Sequence, residues 1–174
     1  MPSAIINPAN PANPETILAF DFGEKRIGVA VGNTISAHAE ALTTLHVESN
    51  QARLAAVKKL VDEWKPARFV IGEPTYANDA NHANDPADSA EGQAPIQPHP
   101  IAHLARKFGN RLQENFRLPV EYVNEFLSSV EGEQILNARG IKGIAQKEHI
   151  DAVAAQVILQ SYLDDPDRRS RHAA

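Results

Sequence analysis

Residues 17–33 constrain the fold of this chain more than any other stretch. They read ILAFDFGEKRIGVAVGN, two apolar runs separated by a short polar segment that contains Gly23 and three charged residues. Two apolar runs around such a segment predict a β-hairpin. The first run, residues 17–20, is apolar at every position, which predicts a central strand covered on both faces.

Asp21 directly follows that run, so its carboxylate is expected at the end of a buried strand. A buried carboxylate is unfavourable unless it is paired or binds a metal, and for this reason Asp21 is a candidate for chemistry. The alternative is that Asp21 and Gly23 only begin a turn, because both residue types are common in turns. These residues alone leave the two interpretations open.

The composition is typical of one globular domain. A chain of 174 residues that is 43% hydrophobic can bury a core. It has no apolar run long enough to cross a membrane and no secretory signal pattern, so we expect a cytoplasmic protein. The absence of Cys excludes disulfides, thiolate metal sites and cysteine nucleophiles. The net charge of −5 argues against a protein that grips nucleic acid over its whole surface, but leaves room for a local basic face.

After the hairpin, the spacing of apolar residues predicts alternating strands and helices. We expect strands over 41–47, 67–72 and 118–123, and helices over 51–64, 99–115, 129–139 and 148–163. Ser49 or Asn50 is the expected cap of the first helix. Because that helix lies between two predicted strands, a parallel crossover is favoured. Ligands of such sheets bind beyond the carboxyl ends of the strands.

Three polar segments flank or interrupt the packed domain, which we assign to residues 15–165. Residues 1–14 contain the repeat NPANPANP and predict a disordered leader, and residues 166–174 predict a disordered tail. Residues 75–98 are too long and too polar for a packed connection, and predict a polar loop inserted beside the site.

Three signatures, in order along the chain, resemble those of a known family. The first is D-x-G followed by R-I-G-V-A, beginning at Asp21. The second is an apolar strand that runs into Asn124, Glu125 and the pair Ser128-Ser129, and the third is Asp151 ahead of A-A-x-x-I-L-Q-S-Y-L. Together they resemble the YqgF family, Holliday-junction-resolvase-like proteins also described as pre-16S rRNA processing nucleases. The resemblance covers about 17–165, apart from the polar insert.

The resemblance implies a ribonuclease-H-like fold, an α/β mixed sheet of about five strands flanked by helices. Its first strands form the hairpin and the later ones are parallel. It also implies that Asp21, Glu125 and Asp151 converge as catalytic and metal-binding residues. Mg²⁺ or Mn²⁺ suits such clustered carboxylates, because these hard ions prefer oxygen ligands and relieve the repulsion between the charges.

The activity that this set implies is two-metal hydrolysis of a phosphodiester, with Asp21 bridging the ions and Glu125 and Asp151 holding one each. Lys25, Arg26 and Ser128 are the expected substrate contacts, although a solvated loop role for Lys25 and Arg26 stays open. His149 is either a further metal or proton-transfer residue or a plain surface histidine.

Two residues depart from the family pattern. Asn124 stands where the family has Asp, and Phe126 where it has Arg, so a positive fork suited to phosphate is lost. Together with the acidic net charge, these departures favour a non-catalytic nucleic-acid or ribosome-assembly binding module, whereas the three retained carboxylates favour the nuclease. An ATPase of the actin and sugar-kinase type would need a second similar domain, and residues 23–28 are not a Walker loop.

The function that the resemblance implies is nucleolytic processing of the 5′ end of pre-16S rRNA in ribosome biogenesis. RNA is the favoured substrate over branched DNA, pre-ribosomal particles are the expected larger partners, and no membrane is involved. The alternative is a Holliday-junction-type DNA resolvase, which would normally require a symmetric dimer. The sequence leaves monomer and homodimer open.

Overall fold

The computed structural model of the protein describes residues 14–74, 100–125 and 144–165, without the side chains at positions 74, 100, 124, 125 and 144–149. Several predicted segments lie outside the described residues: nearly all of the leader, and the whole of the polar insert, of the helix predicted over 129–139 and of the tail. Phe126 and Ser128 also lie outside them. In the described part of the chain, no helix is both long and apolar enough to cross a membrane.

One mixed sheet organises the described residues. Its five strands are β1 (Thr16–Phe22), β2 (Arg26–Asn33), β3 (His38–His46), β4 (Arg68–Pro74) and β5 (Val120–Glu125). They lie in the order β3-β2-β1-β4-β5. The pairs β1–β2 and β2–β3 are antiparallel, whereas β1–β4 and β4–β5 are parallel. The predicted hairpin and the predicted ribonuclease-H-like fold class are therefore confirmed.

The helices cover the two faces of this sheet. They are α1 (Asn50–Trp64), α2 (Pro100–Phe116) and α3 (Ile144–Asp164). Ser49 caps α1, because its hydroxyl accepts a hydrogen bond from the Ala52 amide at 3.1 Å. Side chains of α1 and α2 pack on one face of β1 around Phe20 and Phe69, and α3 packs on the other face. Residues 17–20 are fully buried between the layers, so the prediction of a central strand covered on both faces is confirmed.

Three elements begin two or more residues away from their predicted starts. Strand β3 begins at His38 rather than residue 41, because its pairing with β2 continues to the pair of Asn33 with His38. Strand β5 begins at Val120 rather than residue 118, after a proline that has no amide hydrogen for the ladder. Helix α3 begins at Ile144 rather than residue 148, so Asp151 does not lie in its first turn, where the predicted start would put it.

Two glutamines of α3 cover the outer edge of β3. The Gln156 side-chain amide donates to the Ala39 carbonyl at 2.9 Å, and the Ala39 amide donates to the Gln160 side-chain oxygen at 3.0 Å. Gln160 also donates to the Ala37 carbonyl at 2.9 Å. These bonds occupy backbone groups that an exposed edge strand would otherwise offer to another chain.

A buried ion pair joins the start of the sheet to α3. The Arg68 guanidinium donates to the Glu15 carboxylate at 2.6 Å and to the Tyr162 hydroxyl at 3.4 Å, and it lies 3.7 Å from Glu121. The side chains of Arg68 and Glu15 are only 6% and 9% exposed. Burial raises the pKa of Tyr162 well above its ordinary value, so the phenol stays neutral. This cluster lies at the opposite end of β4 from its carboxyl terminus.

Candidate active site

The strand register brings the predicted acidic positions to one edge of the sheet. Asp21 pairs with Gly28 of β2 and with Gly72 of β4, and Gly72 pairs with Val123 of β5. Position 125 follows Val123 by two residues, so strand alternation puts both positions on the same face. Ile17 and Ala19 pack in the core beneath α3, so Asp21 also belongs to the α3 face. Asp21 and position 125 thus share one face at the carboxyl edge.

Gly28 lets α3 bring Asp151 to the same place. A Cβ atom on Gly28 would lie 1.8 Å from the Asp151 carbonyl oxygen and 2.9 Å from the Ala152 nitrogen. The backbone of α3 therefore rests directly on β2 at a position that only glycine can occupy. Gly28 is also the register partner of Asp21. Asp21 therefore lies beside the same glycine that the Asp151 backbone covers.

The carboxylate of Asp151 is mostly buried and incompletely partnered. Its side chain is 19% exposed, and Oδ2 is buried without a hydrogen bond from any of the described residues. The Arg26 Nε lies 3.2 Å from Oδ2, which is the distance of an ion pair, but its N–H is not aligned for a hydrogen bond. Burial raises the pKa of Asp151, and the charges of Arg26 and His46 oppose that rise.

These oxygens have the chemistry of a site for a hard divalent cation. A buried carboxylate oxygen without a hydrogen bond is unfavourable in a folded protein unless something else binds it, and Mg²⁺ and Mn²⁺ prefer such oxygens. Among the side chains that the structure describes, no group of three acidic, His or Cys residues is close enough to hold a metal. The side chain of Glu125, the third predicted ligand, is not one of those described.

The predicted substrate contacts lie beside this edge. Lys25 and Arg26 are exposed at the turn between β1 and β2, and Arg26 is the residue that approaches Asp151. The turn is held in place by the Val47 amide, which donates to the Lys25 carbonyl at 3.3 Å. Arg53 of α1 donates to the Glu24 carbonyl and lies over the Phe22 ring. Ser128 and the side chain of His149 fall outside the described part of the chain.

His46 is a site residue that the sequence did not indicate. It is the last residue of β3, is exposed, and is the register partner of Arg26 on β2. When protonated, His46 lowers the pKa of the Asp151 carboxyl, against the larger effect of burial. The register between β2 and β3 would have placed His46 at the site, but a strand predicted over 41–47 does not determine that register.

A second unpredicted contact supports the ends of β4 and β5 from the opposite face. Arg106 of α2 donates from Nε and Nη2 to the two oxygens of Glu73, at 3.0 and 2.8 Å. Its guanidinium also lies 4.0 Å from the centre of the Tyr122 ring. The Glu73 pair raises the pKa of Arg106 further above its usual range. This pairing neutralises the charge of Glu73 near the carboxyl end of β4.

The fold and the acidic edge define a ribonuclease-H-like α/β protein. A family model places the chain more narrowly, since the model of RuvX, described as Holliday junction resolvase, matches residues 15–165. The chain therefore belongs to the RuvX family, the family called YqgF above.

Curated relatives match the chain over most of its length. A protein of Dechloromonas aromatica named "Putative pre-16S rRNA nuclease" is 45% identical over 151 residues, which are 87% of this chain and 92% of that protein. A protein of Burkholderia lata with the same name is 40% identical over 161 residues, which are 92% and 97% of the two chains. Among solved structures, Thermus thermophilus RuvC is similar with a TM-score of 0.46 and 13% identity, covering 85% of this chain and 93% of that one. By its family, the chain is a nuclease, a hydrolase that acts on nucleic acid.

Proposed function

We propose that this protein cleaves phosphodiester bonds of RNA with the help of divalent cations, and that it processes the 5′ end of pre-16S rRNA in the cytoplasm. The observation that carries the proposal is the buried Asp151 Oδ2 without a hydrogen bond among the described residues, beside the glycine that pairs with Asp21. Relatives named for this substrate support the choice of RNA.

Asp21, Glu125 and Asp151 would hold the cations, and each has a different source of rigidity. Asp21 ends the buried central strand, Asp151 is fixed by the contact of α3 with Gly28, and position 125 lies on a strand paired with β4. Two cations in such a site supply an activated water and stabilise the leaving oxygen. Ligands on strands and a helix, rather than on loops, favour a constant geometry.

The residues around the carboxylates would orient the nucleic acid. Lys25 and Arg26 form a cationic rim at the start of β2, and the imidazole of His46 lies beside it at the end of β3. Phosphate oxygens bind such side chains through charge-assisted hydrogen bonds. A rim of this size gives a local basic face on a chain whose net charge is −5. It would position one strand rather than bind duplexes over a large area.

The test is a cleavage assay with the full chain. Labelled single-stranded RNA carrying a pre-16S 5′ end and a four-way DNA junction are offered with Mn²⁺, Mg²⁺ or EDTA. Loss of a supporting residue around a metal already lowers activity about 10–100-fold, so Asp21→Asn should lower RNA cleavage at least about 100-fold. The matched control is Asp62→Asn on α1, which removes an exposed carboxylate paired with Lys58 and should leave the rate unchanged.

The substrates separate the alternatives. Metal-dependent cleavage of RNA that requires Asp21 supports the proposal, whereas preferential cleavage of the junction supports a DNA resolvase, the description that the family model carries. Asn124, Phe126 and the acidic net charge favour a non-catalytic binding module. Binding of RNA without cleavage under any metal condition would support that module and contradict the nuclease.

A further inference from the structure

Arg26 occupies the position at Asp151 that a cation would need. Its Nε lies 3.2 Å from Oδ2, the same buried oxygen that receives no hydrogen bond from the described residues. The side chain of Arg26 is 46% exposed, whereas that of Asp151 is 19% exposed. A positive charge therefore reaches in from solvent and neutralises the acidic group without being locked to it by an aligned hydrogen bond.

We propose that Arg26 is a displaceable placeholder: it neutralises Asp151 while the divalent cation is absent, and turns to a phosphate of the nucleic acid when the cation binds. This inference rests on the proposed function, because it assumes that Asp151 is a metal ligand. It makes Arg26 a positioning residue that links metal binding to substrate binding at the same edge of the sheet.

Three physical arguments support this exchange of Arg26 between Asp151 and phosphate. Two cations that share one carboxylate oxygen repel each other, so a bound metal disfavours the ion pair. The half-exposed side chain is long and can turn outward without disturbing the core. Its planar guanidinium presents several donors in a fork that fits phosphate oxygens, which is what it would meet on a bound strand.

The neighbouring cations do not share this role. The ammonium group of Lys25 makes no ion pair with the described residues, and the Lys25 backbone is tied to Val47 instead. His46 lies directly across from Arg26 in the β2–β3 register, and it makes no ion pair with Asp151 in the described part of the chain. The matched control is Lys59, an exposed lysine of α1 on the opposite face of the sheet from α3, which makes no ion pair with the described residues.

The first measurement is Mn²⁺ binding by calorimetry on the full chain without nucleic acid. An exposed or half-exposed ion pair is worth up to about 1 kcal/mol, so Arg26→Gln should bind Mn²⁺ about three- to fivefold more tightly than the wild type. Arg26→Ala should give the same change, and thermal unfolding of both variants checks that they fold. Lys59→Gln should change the affinity by less than about twofold, because it removes an exposed charge that makes no ion pair with the described residues.

The second measurement is the affinity for a single-stranded RNA with phosphorothioate linkages that resist cleavage, with and without Mn²⁺. The gain in RNA affinity caused by Mn²⁺ should be about fivefold smaller in Arg26→Gln, as expected for one lost phosphate contact. Lys59→Gln should retain the gain.

Several results would overturn the inference. Equal or weaker Mn²⁺ binding by Arg26→Gln would make Arg26 a fixed partner of Asp151 rather than a placeholder, and an unchanged gain in RNA affinity would remove its role toward phosphate. The variant Asp151→Asn distinguishes a failure of this inference from a failure of the proposed function. If that variant binds Mn²⁺ as well as the wild type does, or if the wild type binds none, the metal site itself is wrong.

Discussion

Gly28→Ala tests how the site is assembled, because it adds one methyl group between β2 and α3. The new Cβ would lie 1.8 Å from the Asp151 carbonyl oxygen and 2.1 Å from its carbonyl carbon. Since real Cβ atoms keep at least 3.0 Å from such neighbours, the backbone of α3 has to retreat by about 1.2 Å. Neither contact is with a flexible side chain that could turn aside.

Gly28→Ala is expected to lower both stability and function. Overpacking of this kind lowers the free energy of unfolding by about 1–3 kcal/mol. A displacement of about 1 Å at a reacting centre lowers the rate on the order of 100-fold. Because the retreat moves Asp151 away from the glycine that pairs with Asp21, metal binding should weaken along with cleavage.

Gly32→Ala is the matched control on the same strand, the same face and the same helix. Its Cβ would meet the ends of the Leu159 and Leu163 side chains at 2.9 and 3.1 Å and the His38 carbonyl oxygen at 3.0 Å. Ends of leucine side chains can shift, so the free energy of unfolding should fall by less than about 1 kcal/mol. Mn²⁺ affinity should be retained.

The assays are urea unfolding, Mn²⁺ calorimetry and cleavage of single-stranded RNA, on both variants and the wild type. The reasoning is refuted if Gly28→Ala binds Mn²⁺ and cleaves RNA as Gly32→Ala does. In that case, the close approach of α3 to β2 would not determine where Asp151 lies.

Two further predictions concern the buried cluster at the start of the sheet. Arg68→Met should lower the free energy of unfolding by about 3–5 kcal/mol, because it leaves the buried Glu15 carboxylate without its partner; urea unfolding measures this, and the double variant with Glu15→Met should recover part of the loss. Stability should also fall above about pH 10, where tyrosines of the unfolded chain lose their protons but buried Tyr162, whose pKa is raised, keeps its own. Tyr162→Phe should reduce the slope of stability against pH by up to about 1.4 kcal/mol per unit, and an unchanged slope would contradict the assigned burial effect.

The central strand and the hairpin could be predicted from the sequence because burial on both faces leaves an uninterrupted apolar run. The edge strand β3 could not be bounded in the same way. His38 and Glu40 are exposed, and their place in the strand depends on pairing with β2. Register is a property of two strands together, so neither strand alone reveals that His46 ends opposite Arg26.

The start of α3 was misjudged for a different reason. A start at residue 148 would put Asp151 in the first turn of the helix, which Asp favours, whereas the helix begins at Ile144. The helix dipole therefore does not explain Asp151. The close approach of α3 to the sheet depends on Gly28 of β2, which the sequence of the helix does not show. The residue pattern of α3 alone cannot show where the surface of the sheet allows the helix to approach.

The family signatures combine packing and chemistry, and stability measurements can separate the two. Gly28 admits α3 and Gln160 covers the edge of β3, so a binding module on this fold would retain both for packing alone. Asp151 is different, because burial raises its pKa and thus disfavours its charged form in the folded protein. Asp151→Asn should therefore stabilise the fold by about 1 kcal/mol, as relief of a functional strain commonly does, while abolishing Mn²⁺ binding. Urea unfolding in EDTA measures the first effect. Destabilisation by Asp151→Asn would mean that Asp151 serves the fold, and its presence would then no longer favour the nuclease over the binding module.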